Sequence, residues 1–401
     1  MSGPSRIEPL LGCQMSGILK AAAGIDQVVP IIHGPMGCAS GHRIIPLFAG
    51  REPLMTTTAL TEMNIIMGAE DRLRSAILQA GETYHPDLIL VVLSCATSLT
   101  GEIHSALVEP LSKETNCPIF VLDGSGIVGD EIGGYRAFYE EFRRLEAGLV
   151  SESNTSTGLE LTGLSTADFG CREDVAVLQD TLQLATGGSF HFDRFLFHDL
   201  TMTSQRKDYQ TIHAGRLWLD SEQPCPAPFG AQGTLAWAEY ICRAINQPLK
   251  PEFRQQIAIL QEEIQSCCSA LKDLRVGIEA ESWWGLGLAQ FFDSEFGFAV
   301  CLSSDRGALQ YQEKHGSAAT TFEDTANIEL VRLFQSFKTD LVFGSSYSYR
   351  DDWIWQPFWQ PVWHVINEQK SFMGINGAYN MLELLENLES QRNVKNQIHF
   401  K

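Results

Sequence analysis

The chain carries ten cysteines, yet no two of them form a Cys-x-x-Cys pair. Zinc-ribbon and thioredoxin-type sites need that spacing, so neither is expected. No run of 18 apolar residues occurs, which excludes a membrane-spanning helix. The start, Met1-Ser-Gly-Pro-Ser-Arg-Ile-Glu-Pro, has no basic segment leading into an apolar core, so no secretory signal is expected. Positive charge is scarce: 29 Lys and Arg stand against 49 Asp and Glu, a formal net charge of −20. Nucleic acid and acidic membrane surfaces are therefore not expected partners, because their phosphates would be repelled. No Ser-His-Asp or Cys-His arrangement has a recognisable local signature, which leaves a hydrolase without support. A cytoplasmic location is expected, and there ten cysteines argue for metal binding, catalysis or burial over a disulfide framework.

At 401 residues, with 44% hydrophobic and 19% charged, the chain is too long for one core. Apolar runs at 28–32, 88–93 and 118–122 read as buried parallel strands, with helical spacing at 69–84, 99–111 and 135–149 between and after them. Strands alternating with helices indicate a doubly wound α/β sheet. Residues 151–158 are small and polar and read as a linker. A less regular stretch follows, with helices expected at 173–184, 233–245 and 251–274 and possible strands at 189–200. Further strands are expected at 275–280, 298–302, 340–344 and 361–366, and a final helix from Gly374. The expected organisation is three α/β domains at 1–150, 151–250 and 251–401, the first carrying the site.

The site is expected around Cys38, in Val28-Val-Pro-Ile-Ile-His-Gly-Pro-Met-Gly-Cys38, where an apolar run enters a Gly/Pro-rich loop. Cys13 precedes it by 25 positions and Cys95 follows by 57. Scattered cysteines are by default buried or inert thiols. These three differ: each lies in a loop or at a strand end, where α/β sheets bind ligands. Thiolates are the usual iron–sulfur ligands, and three from one chain leave a cluster short of a full set. A second chain would then supply the rest. Cys117 and Cys301 read as core, Cys242, Cys267 and Cys268 as helix packing, and Cys171 and Cys225 as loop residues. His33 either serves a cluster or satisfies a strand end. The 123–134 loop is glycine-rich but lacks a Lys-Ser/Thr ending, so it reads as close backbone approach rather than a nucleotide cradle. The late tryptophans, Trp283, Trp284, Trp353, Trp355, Trp359 and Trp363, read as core or interface.

Several segments together resemble the nitrogenase component 1 family: His33-Gly-Pro-Met-Gly-Cys38, Arg51-Glu-Pro, Leu60-Thr-Glu-Met-Asn-Ile-Ile-Met-Gly-Ala-Glu-Asp-Arg-Leu73, and Ser94-Cys95-Ala-Thr-Ser-Leu-Thr-Gly101-Glu. Gly129-Asp-Glu-Ile-Gly-Gly-Tyr135 and Met373-Gly-Ile-Asn-Gly-Ala extend the likeness. The resemblance implies three Rossmann-like domains. It implies a homologous α-type partner in a heterotetramer of two α-type and two β-type chains, with an iron–sulfur cluster shared between subunits. Carried over by position, Cys13, Cys38 and Cys95 are the ligands, in a spacing closer to the β-type chain. The cluster implied is the eight-iron P-cluster (8Fe-7S), with a four-iron cluster (4Fe-4S) as the alternative. An ATP-hydrolysing iron protein homodimer is the implied electron donor, and the chain the implied electron-relay subunit of an oxidoreductase.

Three departures refine this. The positions where the α-type chain binds its active-site cofactor fall near His213-Ala214 and Met373, with no cysteine or histidine pair to match, so a partner is expected to hold that cofactor. Gly126, with Ser125 beside it, stands about where a serine ligand can occur in nitrogenase β chains. Ser98 replaces the acidic residue usual shortly after the third cysteine. With the chain length, these favour a nitrogenase-like reductase, with methylthio-alkane reductase (C–S cleavage) as the leading expectation. A nitrogenase β chain, a cofactor-assembly scaffold and a tetrapyrrole reductase are the alternatives.

Overall fold

The computed structural model describes residues 12–398, apart from 26, 44–53, 102–104, 149–156, 165–170, 196–207, 216–223, 269–270, 272, 306, 316–317 and 359–369. The expected strand at 361–366, Trp359, Trp363, Arg51 and most of the linker lie outside the described residues. Contacts divide the chain into two compact units, one of residues 11–168 and 194–209, the other mainly of 169–193 and 210–401. The division at 150 and 250 is a reading of the sequence alone; the contacts follow this other partition.

The first unit is built on a parallel sheet of order β2-β1-β3-β4. Its strands are β1 (Val28–His33), β2 (Thr56–Thr57), β3 (Leu88–Leu93) and β4 (Ile119–Asp123). β1 is buried along its whole length and β3 nearly so, as their unbroken apolar runs require. On one face Leu73 and Ile77 of α4 (Glu70–Tyr84) and Leu111 of α6 (Ser105–Thr115) pack against Val29, Ile31, Ile89 and Val91. Each such side chain contributes roughly 1.5–3 kcal/mol on leaving water. The single helix expected over 99–111 is two, α5 (Cys95–Thr100) and α6, because Gly101 turns left-handed at φ +67°. The unit also holds the short helices α2 (Met36–His42) and α3 (Glu62–Met67), and β5 (Thr157–Thr162), which pairs in parallel with β6 (Arg194–Phe195).

Two further helices, α1 (Gln14–Ala22) and α7 (Glu131–Gly148), touch at backbone distance. A Cβ on Gly17 would stand 1.6 Å from the Glu131 carbonyl oxygen, and one on Gly134 would stand 1.8 Å from that of Gln14. Only glycine permits that approach. A buried ion pair, Lys20 Nζ to Glu131 Oε1 at 2.6 Å, ties the same two helices.

β7 (Asp208–His213) lies where the chain passes into the second unit. That unit holds α8 (Cys171–Thr186), α9 (Gly230–Ala244), α10 (Pro251–Cys268) and a five-stranded parallel sheet of order β10-β9-β8-β11-β12. The strands are β8 (Arg275–Glu279), β9 (Ala299–Ser304), β10 (Thr320–Glu323), β11 (Leu341–Gly344) and β12 (Ile354–Pro357). α11 (Ser282–Phe296), α12 (Ala308–His315), α13 (Asn327–Phe337) and α14 (Gly374–Ile398) complete it. The α/β class with parallel sheets is as expected. Among the described residues no helix is long and apolar enough to cross a membrane.

In a Rossmann-type unit a dinucleotide phosphate would sit at the first helix N-terminus after the central strand. Here Asp305 fills that place, accepting from Ser282 N at 2.6 Å and Ser282 Oγ at 3.1 Å. Beside it, buried Glu279 accepts from Ser345 N at 2.9 Å. The protein's own carboxylates occupy the donors that a nucleotide would need.

Glu295 of α11 caps α9 in the same way, accepting from Ala231 N and Gln232 N at 3.0 Å each. Burial pushes its carboxyl up to about 7, against the pull of those two N–H groups. The folded chain then holds a proton between pH 4.5 and 7 that the unfolded chain releases, so this group's contribution to stability falls as pH rises through that window. All eight tryptophans lie at or beyond position 218, so their fluorescence reports the second unit. We expect the urea midpoint of that signal to fall more between pH 5 and 7.5 in the wild type than in Glu295→Gln, by an equivalent of roughly 2 kcal/mol after discounting for partial exposure. Parallel pH slopes would count against this assignment.

Candidate metal centre

Three segments bring cysteines to the carboxyl edge of the β2-β1-β3-β4 sheet. β1 ends at His33, and Gly34-Pro35 leads into α2 with Pro35 as N-cap (φ −61°, ψ 151°). Cys38 is the third residue of that helix. The sequence suggested a loop here, because two glycines and a proline crowd the segment. It winds because Pro35 presets the first turn and a helix needs no more than Ala39 to be buried. β3 ends at Leu93, and Ser94 caps α5 through a capping box with Thr97, so Cys95 is the first helical residue. The two segments interlock: Thr97 Oγ1 donates to the His33 carbonyl at 2.8 Å, and a Cβ on Gly34 would stand 2.3 Å from Ser94 Oγ.

Cys13 comes from the N-terminal arm as the N-cap of α1. An antiparallel bridge to Asp130, Met15 N donating to Gly124 O at 2.9 Å and Glu131 N donating to Gly12 O at 3.0 Å hold it beside the loop after β4. That loop makes the close approach expected of it. A Cβ on Gly126 would lie 3.1 Å from Cys13 Cβ, so the missing side chain clears space at the sulfur. Ser125 is buried, and its Oγ accepts from Ile127 N at 3.0 Å, which commits it to the turn. Ser98, standing where an acid was expected, donates to Asp123 Oδ2 at 2.6 Å, so a carboxylate is present from β4 instead. His33 is wholly buried with Nδ1 3.1 Å from Thr58 Oγ1, in the strand-end role.

Four thiols stand apart from those at the edge. Cys117, Cys225, Cys242 and Cys301 are buried. Burial pushes Cys117 up to about 11 and Cys301 up to about 12, and raises Cys225 and Cys242 too. Such thiols stay protonated and are poor candidates for metal ligands. Cys225 is packed under Trp283, whose Nε1 donates to the Cys225 carbonyl at 2.8 Å. Cys171 starts α8 instead of lying in a loop. By contrast Cys13 and Cys38 are half-buried and Cys95 is exposed. Burial raises Cys38, and the charges of Cys95 and Cys13 push it the same way, so the three sulfurs share one electrostatic field. Burial also pushes Cys13 upward, but contact with His42 together with the backbone N–H groups of Ser16 and Met15 outweighs this and holds it below the usual thiol range. His42 moves the opposite way, raised by the same contact against its own burial.

His42 went unnoticed in the sequence. Its Nδ1–H donates to the Cys38 carbonyl at 2.7 Å; its Nε2 lies 3.0 Å from Ser16 Oγ and 3.6 Å from Cys13 Sγ. The signal available was its place four residues after Cys38, one helical turn, which a loop reading of this segment hides.

Among the described residues no group of three His, Cys, Asp or Glu closes on a single metal ion. Three thiols on one open edge, two of them bearing on Cys38, suit a larger body with several irons. A cationic centre among them would also relieve the like-charge effect at Cys38.

Residues 13–162 match the family model described as Nitrogenase component 1 type Oxidoreductase. That stretch opens on Cys13 and contains the whole edge. Over it, the chain is similar to the nitrogenase component 1 family.

The relatives follow suit. The nitrogenase molybdenum-iron protein beta chain of Clostridium pasteurianum is 27% identical over 158 residues, 38% of this chain and 33% of that one. The cofactor biosynthesis protein NifE of Methanosarcina barkeri is 26% identical over 139 residues, 33% of this chain and 30% of that one. NifN of Nostoc sp. is 34% identical over 95 residues, 23% and 21% of the two chains. These matches span about a third or less of the curated relatives' length. The solved structure "Nitrogenase Cp1 at pH 6.5" superposes with a TM-score of 0.76 at 15% identity, covering 98% of this chain and 95% of that one. The nitrogenase component 1 fold thus extends past the matched sequence. Met373, at the position compared with the α-type histidine, is fully buried with its backbone bridged to Phe229. The side chain of His213 lies outside the described residues.

Proposed function

We propose that this chain is the β-type subunit of a nitrogenase-like reductase, with Cys13, Cys38 and Cys95 holding one half of an iron–sulfur cluster completed by a homologous α-type chain. The observation that carries the reading is a set of exposed apolar side chains on the segments that follow the strands of the cysteine-bearing sheet. Every strand of the sheet contributes: Met36 after β1; Met63, Ile66 and Met67 after β2; Leu99 after β3; Ile127 and Val128 after β4. They range from 54% to 77% exposed. A patch of this kind marks a protein interface, and a partner seated on it would seal the cluster from water. α3 supplies three of these residues and buries none of its own.

When bound, the cluster supplies electron storage between a donor and a catalytic cofactor. The 8Fe-7S form is the one we assign, with 4Fe-4S as the alternative, and a heterotetramer served by an ATP-hydrolysing iron protein is the assembly. The chain's own residues ligate the irons, clear space at Gly126 and present the surface that excludes water. Met373, buried and thioether-bearing, supports placing the substrate cofactor in the partner. Reductive cleavage of methylthio-alkanes is the reaction we assign to the complex on those departures. A second reading, a cofactor-assembly scaffold, is favoured by the NifE and NifN relatives.

The test is anaerobic purification of the chain co-expressed with a homologous α-type chain, with iron counting, electron paramagnetic resonance and turnover of dimethyl sulfide. About eight irons per pair with turnover supports the leading reading; about four irons indicates the smaller cluster. Turnover absent, with transfer of a cofactor to an apo-enzyme, supports the scaffold. An iron-free complex refutes both. The triple variant Met63→Glu, Ile66→Glu, Met67→Glu is expected to weaken co-purification at least about tenfold, by burying charge without a partner.

A further inference from the structure

One histidine joins two of the three cysteine-bearing segments. His42 reaches back along α2 to the Cys38 carbonyl at 2.7 Å through Nδ1. A carbonyl only accepts, so Nδ1 carries a proton. The opposite nitrogen, Nε2, lies within hydrogen-bond distance of Ser16 Oγ of α1, at 3.0 Å. The same Nε2 lies 3.6 Å from Cys13 Sγ. α1 and α2 are consecutive helices, separated by β1. α1 is fixed from below by Gly17, Gly134 and the Lys20–Glu131 pair. α2 has little hold of its own: it has no side-chain cap, buries only Ala39, and its two glycines meet nothing within 4 Å. The imidazole is therefore the rigid member between a fixed helix and a loosely held one.

We propose that His42 is a positioning residue that sets the separation of Cys13 and Cys38 by bridging Ser16 on α1 to the Cys38 carbonyl on α2. This rests on the iron–sulfur reading above. A cluster has fixed iron–sulfur distances, so a preset ligand separation retains iron better than one that must be drawn in on binding. His42 touches no substrate and acts only through the two cysteine segments.

The test uses the complex as purified, with His42→Phe and Ser16→Ala. Phenylalanine keeps the ring's bulk and removes both nitrogens; alanine removes only the Ser16 oxygen. Iron release to a chelator is expected to be roughly 10–100-fold faster in His42→Phe and faster in the same direction in Ser16→Ala. The double variant should be no faster than His42→Phe alone, because both changes cut one bridge. The resonance lines of the cluster should broaden and its midpoint potential should shift. In iron-free chain, amide hydrogen exchange over 36–42 should speed up in both variants. Wild-type exchange and iron release in His42→Phe would overturn the proposal, as would additive losses in the double variant. If wild-type protein carries no iron while the exchange effects stand, the cluster reading has failed and the bridge has not.

Discussion

Replacing Cys38 or Cys95 with serine is expected to reduce bound iron to below about a tenth of wild type and to erase the cluster's paramagnetic signal. Serine keeps the shape of the side chain and removes the soft, polarisable sulfur. A hydroxyl ionises far less readily than a thiol and offers a harder donor, so the ligand is weakened. Cys13 should behave likewise, with an added structural effect, because its backbone is bridged to Asp130 and its sulfur lies against His42. The controls are Cys117→Ala and Cys301→Ala. Both thiols are buried and held protonated, at about 11 and about 12. Their loss should cost about 1–2 kcal/mol of packing and leave iron unchanged. Iron counting with a chelator-based assay on all five variants checks the set. Full iron in Cys38→Ser and Cys95→Ser together would remove the basis for the site.

The second large effect is steric. Gly134→Ala places a methyl group 1.8 Å from the Gln14 carbonyl oxygen, and Gly17→Ala places one 1.6 Å from that of Glu131. Real atoms do not approach so closely, and the obstacle is backbone on both sides, so α1 must lift off α7. Each substitution should lower unfolding stability by more than about 3 kcal/mol. Because α1 starts at Cys13, it should also displace that sulfur and lower iron occupancy even in chain that remains folded. Gly41→Ala is the control: a Cβ there meets nothing within 4 Å, and alanine favours the helix by up to about 1 kcal/mol. Urea unfolding of the iron-free variants measures the first effect. Equal midpoints for Gly134→Ala and Gly41→Ala would show that the two helices do not meet as described.

What the sequence revealed depended on how strongly a segment's own residues fix its conformation. The strands at 28–33 and 88–93 are legible because an unbroken apolar run admits few fates besides a buried parallel strand. Edge strands are not. β10 alternates between exposed and half-buried, and β12 is half-buried throughout, so neither carries a run to notice. α2 was hidden for the opposite reason: Gly-Pro-Met-Gly-Cys reads as a loop by propensity, and its neighbours make it a helix. That one misreading concealed His42, whose relation to Cys38 exists only on a helical turn. The three cysteines were found through family resemblance and strand-end position, since spacings of 25 and 57 form no motif of their own. The influence of Cys13 and Cys95 on Cys38 needed three dimensions to see.

The short helix α3 bears on how a complex would assemble. Thr61 and Asn64 close a capping box, with Asn64 Oδ1 accepting from Thr61 N at 3.0 Å, and Gly68 stops the chain at φ +99°. Helix formation by six residues is ordinarily unfavourable, because nucleation must precede any gain. Here the termini hold the turn without help from a core. α3 would thus meet another subunit already wound, its conformational entropy surrendered in advance. Recognition at this surface would resemble rigid docking, with assembly limited by encounter and orientation and not by coupled folding.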